Sequence, residues 1–279
     1  FFYILFIMKL INKKYKMLEK IGEGTFGLIY KGENIRTREL VAIKVESIEH
    51  DMKLLKNESI IYQYLNNVQG VPFVKWFGKD ETNYYMVINL LGQSLQSIKN
   101  NSTFSLTSVL QIGIKIVLLL KTIHDKGLVH RDIKPDNFLL GLNNQWKSIY
   151  IIDFGLCRSY ITNDKHKPIK KTNNLIGSLT YCSINAHNCI ELSRRDDMES
   201  LGYMLAFFYL GTLPWQEMVS ENIDIIKNLK QDIVINSKLP QILVNYIKYV
   251  RSLKYEETPN YNFIIDNFTR EIESFKKTN

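Results

Sequence analysis

The hydrophobic period of this chain changes once, near residue 90, and that change constrains the fold more than any other feature. Over the first ninety residues, short runs rich in Ile, Val and Tyr alternate with Gly or charged turns, a pattern of strands. The predicted strands are Tyr15–Ile21, Leu28–Lys31, Val41–Val45, Val74–Phe77 and Tyr84–Ile88, with one helical stretch around Met52–Leu65. Beyond residue 95, Val109, Ile112, Ile116, Leu119, Leu120 and Ile123 recur mostly at three- and four-residue steps, the core face of a helix that Gly127 stops. Further helices are expected at Asp196–Leu210, Ile223–Leu229, Ile242–Val250 and Tyr261–Phe275. The coarse picture is a small strand-rich half followed by a larger helical half, divided near Leu90–Ser94.

A chain of 279 residues can bury a substantial core, as one large domain or two closely packed lobes. At 45% hydrophobic residues it is too apolar to be disordered, and 14 Gly with 6 Pro is too few for a collagen-like or low-complexity chain. The formal charge of +8 favours anionic partners such as nucleotides, acidic peptides, nucleic acid or membrane surfaces, or serves solubility alone. Cys157, Cys182 and Cys189 are odd in number and match no zinc spacing, so free thiols in a reducing compartment are expected. Phe1 to Ile7 are wholly apolar, too short for a bilayer that needs roughly 20 such residues. Lys9, Lys13 and Lys14 follow this run rather than precede it, unlike a secretory signal. The expected native start is therefore Met8, with residues 1–14 an extension outside the domain; a short membrane-touching anchor is the rival.

Gly22-Glu23-Gly24-Thr25-Phe26-Gly27 lies between two strand-like runs. Glycines there let backbone N–H groups approach phosphate oxygens because no Cβ intervenes, although such a pattern alone also reads as a plain turn. Lys44 is the one charge in Val41-Ala42-Ile43-Lys44, and Glu58 lies on the helix that would have to face it. Such a pair would hold an ammonium where it can grip two phosphates. The strongest signal is His130-Arg131-Asp132-Ile133-Lys134-Pro135-Asp136-Asn137, followed by Tyr150-Ile151-Ile152-Asp153-Phe154-Gly155. An aspartate five residues before an asparagine can hold a substrate hydroxyl while the amide reaches a metal. A second aspartate after an apolar strand supplies charge for magnesium on the phosphates. Any one of these acids could be a turn or capping residue; the ordered set argues for phosphoryl transfer.

With these motifs in order, the chain resembles a eukaryotic protein kinase, and within that group the casein kinase 1 family. Ser183-Ile184-Asn185 stands where most kinases have A-P-E. Gly177 to His187, Ser193-Arg194-Arg195-Asp196-Asp197-Met198-Glu199-Ser200-Leu201-Gly202-Tyr203 and Leu213-Pro214-Trp215-Gln216 are very like that family. So are Leu90 to Leu95 and Arg251-Ser252-Leu253. The related vaccinia-related kinases share Ser-Ile and Leu-Pro-Trp, but Arg-Arg-Asp-Asp favours casein kinase 1. The resemblance runs from about Tyr15 to Phe268 and implies a bilobal α+β kinase fold. An antiparallel small lobe with one main helix would span 15–91, and a mainly helical lobe 92–279.

The resemblance also implies roles. Gly22, Gly24 and Gly27 would roof the triphosphate of ATP, with Ile21 and Ile29 on the adenine and Ala42 and Leu139 lining its pocket. Ile88 would be the gatekeeper and Asn89 to Leu91 the hinge. Lys44, paired with Glu58, would hold the α- and β-phosphates. Asp132 would orient the attacking hydroxyl, Lys134 would contact the γ-phosphate, and Asn137 and Asp153 would hold Mg2+. Asp197 would tie the catalytic loop to the helical core. Lys134, two residues after Asp132, resembles the serine/threonine-directed kinases. The implied protein is an intracellular monomer acting on protein substrates, with no transmembrane segment and no indicated nucleic acid.

Three departures from the family qualify this. Thr180 stands where an arginine usually receives a phosphate, and the segment after Gln216 is short and lacks the usual basic stretch. Both weaken the case for pre-phosphorylated substrates. Lys165, His166, Lys167, Lys170 and Lys171 form a basic cluster that either favours acidic targets or is a solvated loop. The chain carries no long tail after the domain, so constitutive activity is expected. The alternatives are a pseudokinase acting as a nucleotide-binding scaffold and, more remotely, a small-molecule kinase.

Overall fold

The computed structural model describes residues 10–24, 27–49, 54–142, 147–219, 222–236 and 238–278. Phe1 to Lys9, with the expected start at Met8, lie outside them, as do Thr25 and Phe26 of the glycine loop and Met52 of the predicted helix. In chain order, β1 (Leu10–Ile11), β2 (Tyr15–Gly24), β3 (Gly27–Asn34) and β4 (Leu40–Ser47) precede α1 (Leu54–Tyr64), β5 (Val74–Lys79) and β6 (Asn83–Asn89). Then come α2 (Leu95–Asn101), α3 (Leu106–Asp125), β7 (Leu128–Val129), β8 (Phe138–Leu140), β9 (Ile149–Ile151), β10 (Arg158–Ser159), β11 (Ile161–Thr162) and β12 (Lys165–His166). The chain closes with α4 (Ile184–His187), α5 (Arg194–Leu210), α6 (Ile223–Asn236), α7 (Gln241–Ser252) and α8 (Tyr261–Thr278).

These elements form two compact units, a strand-rich one and a helical one, the α+β division that the hydrophobic period anticipates. The first comprises the chain to Gly92 together with Leu140–Gly155; the second comprises Gln93–Leu139 and Leu156–Asn279. The expectation was a single cut after Leu91. Leu140–Gly155 returns to the first unit because the Ile151 N–H donates to Gly70 O and Asp153 pairs with Lys44.

The first unit is a six-stranded antiparallel sheet in the order β1-β2-β3-β4-β6-β5. Val41, Ile43, Tyr85 and Val87 from its central strands bury a core with Ile11 and Tyr15; each such side chain contributes about 1.5–3 kcal/mol. The sheet starts inside the expected extension. Asn12 and Lys13 both take positive φ, 52° and 50°, in the three-residue loop, closed by the Lys14 N–H on Ile11 O, that lays β1 on β2.

In the second unit, α3 packs on α5 and α8 and buries Val109, Ile116, Leu120 and Ile123. Gly113 permits this, since a Cβ there would stand 2.9 Å from the Phe268 ring and 3.2 Å from Leu205. α3 is long and apolar enough to cross a membrane by length and composition, but nine of its residues are buried against its neighbours, the pattern of a core helix. Two features exceed the sequence expectation. α2, capped by Ser94 accepting the Ser97 N–H at 3.1 Å, is too short to show a period. α6 runs to Asn236; the sequence expectation stops at Leu229 because the charge of Lys230 interrupts the apolar pattern that Ile233 resumes.

Candidate active site

In the first unit, three of the singled-out residues meet. β4 presents Ala42 and Lys44 on one face, two residues apart. Lys44 Nζ lies 2.7 Å from Glu58 Oε2 and 2.9 Å from Asp153 Oδ1. Glu58 comes from α1 and is 2% exposed. Asp153 follows β9 with a left-handed φ of 65°. Its N–H donates to the Tyr62 hydroxyl at 3.2 Å, while the Tyr62 ring packs edge-on against Phe154 at 4.9 Å. Burial opposes the charge on Lys44, but Glu58 and Asp153 outweigh it and raise its pKa above the ordinary lysine range. Burial pushes the Glu58 carboxyl up, and Lys44 pulls it back. At 2.7 Å the contact is a charge-assisted hydrogen bond.

The glycine-rich segment is a hairpin. Gly22 opposes Ile29, and Gly24 opposes Gly27. Gly27 is demanded by the sheet, since a Cβ would fall 2.1 Å from Val45 O. Gly22 and Gly24 are not: the nearest protein atom to a Cβ would be 3.7 Å and 3.8 Å away. Glycine at those two positions therefore spares space outside the protein, as an approaching oxyanion requires. Around them, Ile29 pairs with Lys44 and Ala42 with Ile88. Ile21 is 47% exposed, and Leu91 is half-buried. Asn89 spends its side chain on the fold, accepting the Phe73 N–H at 2.9 Å. Leu139 belongs to the second unit, where it bridges to Ser94.

The second unit gathers Asp132, Lys134 and Asn137. Asp132 is 8% exposed. Its Oδ2 receives Lys134 Nζ at 2.8 Å and Asn137 Nδ2 at 3.2 Å, and its Oδ1 receives the Ser178 N–H at 3.0 Å. Asn137 Nδ2 also donates to Asp132 O at 2.8 Å, closing the loop from Asp132 to Asn137. Asp197 of α5 anchors this loop, accepting the N–H groups of His130 and Arg131 at 2.7 and 2.8 Å and meeting His124 Nε2 at 3.0 Å. Burial works against the Asp197 charge, yet these partners hold its carboxyl below the usual range. The left-handed φ of 69° at Arg131 is held by the same contacts.

The sequence alone offers no role for two further carboxylates. Asp196 accepts from Ser183 Oγ at 2.7 Å, Asn185 Nδ2 at 2.9 Å and the Ser193 N–H at 2.8 Å. It thus joins Ser183-Ile184-Asn185 to the start of α5, and burial raises it to about 6. Glu191 meets Arg131 Nη1 at 3.1 Å, with Lys170 and Arg158 at 3.5 and 3.8 Å. The basic cluster divides accordingly. Lys167 donates to Ser159 O, His166 is half-buried, and Lys165, Lys170 and Lys171 are exposed. Tyr62 and Glu191 carry no local sequence signal, while Asp196 lies inside a motif whose geometry only the structure supplies.

Chemically, the first unit offers an anchored ammonium and two carboxylates, one negative charge in excess. That excess beside Asp153 suits a divalent cation. Asp132 takes the nitrogen of Asn137 rather than its oxygen, so that amide too can offer a hard oxygen donor. The second unit offers an aimed carboxylate beside a lysine. A family model described as Protein kinase domain matches residues 15–267.

Proposed function

Because the chain belongs to the protein kinase family, we propose that it is a serine/threonine kinase of the casein kinase 1 type, moving the γ-phosphate of ATP to protein hydroxyls. The observation that carries this is Asp132, a buried carboxylate whose two oxygens are oriented by Lys134, Asn137 and the Ser178 N–H. So held, it accepts the hydrogen bond of an incoming alcohol, aims the oxygen at phosphorus and takes its proton as the new P–O bond forms and the bond from the γ-phosphorus to the bridging oxygen breaks, releasing ADP. Lys134 attends the γ-phosphate. Lys44, fixed by Glu58, holds the α- and β-phosphates under Gly22, Gly24 and Gly27, and Ile21, Ile29, Ala42, Ile88, Asn89, Leu91 and Leu139 receive the base. Asn137 and Asp153 would hold Mg2+, which when bound neutralises phosphate charge.

Arg131 supports activity without phosphorylation of the activation segment. Its guanidinium already has a carboxylate partner in Glu191 and donates to Leu156 O at 2.7 Å. Exposed Lys165, Lys170 and Lys171 support acidic targets. Thr180 in place of arginine supports independence from pre-phosphorylated ones. Three free cysteines fit an intracellular setting.

The test is phosphate transfer from ATP to acidic, phospho-primed and neutral peptides, using phosphatase-treated protein, with phosphoamino-acid identification. Transfer to serine and threonine is expected, best on acidic peptides, and Asp132→Asn and Asp153→Asn should each abolish it. Nucleotide binding without transfer in the unaltered protein would leave a pseudokinase instead.

A further inference from the structure

α6 carries a lysine where a core helix carries an apolar residue. Ile226 and Ile233 are buried on one face of α6, and Lys230, four residues after the first and three before the second, shares that face at 0% exposure. Its ammonium has three N–H groups and four partners, one of them the Cys182 Sγ at 3.6 Å. Nζ donates to Leu179 O at 2.8 Å and Cys182 O at 2.7 Å, and it meets His187 Nε2 at 3.1 Å. The rings of Tyr203 and Trp215 lie 5.1 and 5.7 Å from it. Among the described residues no carboxylate forms an ion pair with it; the nearby Glu199 is taken by Arg251 and Tyr203. A buried charge held only by neutral dipoles is costly, so the carbonyls it serves matter to the fold.

Those carbonyls belong to one turn. Tyr181 and Cys182 both donate N–H groups to Ser178 O, and the Thr180 carbonyl receives the Trp215 indole N–H at 2.8 Å. The same turn begins at Ser178, whose N–H sits on Asp132. A hydroxyl aimed by Asp132 hangs from a polypeptide whose next residues are only about 3.8 Å apart along the chain. That polypeptide must therefore pass this turn.

We propose that Lys230 is a positioning residue for the protein acceptor: by drawing the carbonyls of Leu179 and Cys182 inward, it sets the backbone beside Asp132 on which the acceptor chain docks. This rests on the protein-kinase reading above. It leaves ATP handling untouched, because Lys230 touches none of the groups assigned to the nucleotide.

Protonation strengthens the arrangement, since the N–H groups of an ammonium bind carbonyls more strongly than those of a neutral amine. Burial pushes Lys230 down to about 8. The titratable and charged groups around it are Cys182, which burial raises, and His187, held neutral at about 3 by burial and by Lys230 and Lys227. On α5 and α7, Glu199, Tyr203 and Arg251 bond to one another, with Tyr203 raised well above its usual range. Rising pH therefore weakens the clamp before it alters these neighbours. Through this group alone the folded state gains stability above its folded pKa, because the unfolded chain keeps the lysine proton to 10.5. Loss of acceptor affinity there would not be unfolding.

The experiment compares the unaltered chain with Lys230→Met and Lys230→Arg, measuring kcat and KM for dephosphorylated casein and ATP hydrolysis without acceptor. Lys230→Met should raise the casein KM about tenfold with ATP hydrolysis within about twofold of the unaltered protein, and Lys230→Arg should recover part of it. The unaltered protein's casein KM should climb between about pH 7 and 9 with ATP hydrolysis flat, while the arginine variant should show no such climb. An unchanged casein KM in Lys230→Met, or an equal loss in both reactions, overturns the proposal. If Lys230→Met does not fold, the pH profile decides, and a flat KM overturns it. An unaltered protein active in neither reaction refutes the kinase reading and this inference together.

Discussion

Two buried lysines, one in each unit, have opposite electrostatic surroundings. Lys44 is held by two carboxylates, Glu58 and Asp153, and its pKa is raised. Lys230 is held by two carbonyls and a neutral imidazole, and burial pushes it down to about 8. The first is charged across the working pH range and can keep a permanent positive charge for an anion. The second loses its proton at a lower pH and spends its N–H groups on carbonyls, so it acts as a clamp on backbone. What separates them is the chemistry of their partners, since both are largely removed from water.

The largest way to break the comparison is Lys44→Met. It leaves Glu58 and Asp153 without their cation, so phosphate transfer should fall by about 10³-fold or more, and stability by about 3 kcal/mol. Radiolabelled transfer and chemical unfolding measure both; a variant with near-normal transfer would show that Lys44 does not hold phosphate. Glu58→Gln sharpens the contrast by making the Lys44 site more like that of Lys230. In the unaltered protein the raised lysine pKa keeps its contribution intact below 10.5, so the KM for ATP should stay flat with rising pH. In Glu58→Gln we expect transfer at neutral pH to fall about 10- to 100-fold and the KM for ATP to climb above about pH 8. A flat profile in the variant would mean that Asp153 alone sustains the charge. The smallest effect belongs to Trp215→Phe, which keeps the ring near Lys230 but removes the N–H on the Thr180 carbonyl. That hydrogen bond is worth about 1 kcal/mol, so the KM for a protein acceptor should rise about fivefold with ATP hydrolysis unchanged. An effect on both reactions alike would make Trp215 a general support of the fold.

Much of the site was legible because its chemistry needs particular residue types at short, ordered spacings. Asp132, Lys134 and Asn137 fall within six residues and converge in one turn. Lys44 and Glu58, fourteen residues apart, lie on elements whose periods are visible, and the structure joins them as expected. Lys230 was hidden because its charge interrupts the apolar pattern that would have shown α6 in full. The signal was present, a charge between Ile226 and Ile233 on one helical face, but spacing cannot say what such a charge meets. Tyr62 and Glu191 were hidden for a simpler reason. An aromatic on a core helix and an acid before a helix are common, and their partners Asp153 and Arg131 are 91 and 60 residues away.

By itself, then, the order of residues determined the α+β division, the motifs and the groups proposed to work on phosphate, because period and local spacing are properties of the chain. Tertiary structure alone decided which partners each charge met. Glu58 and Asp153 made one lysine a lasting cation, and the carbonyls of Leu179 and Cys182 made another a titratable clamp. The reason is physical: the free energy of a buried charge is set by the dipoles and charges within a few ångströms, and folding brings those from distant parts of the sequence.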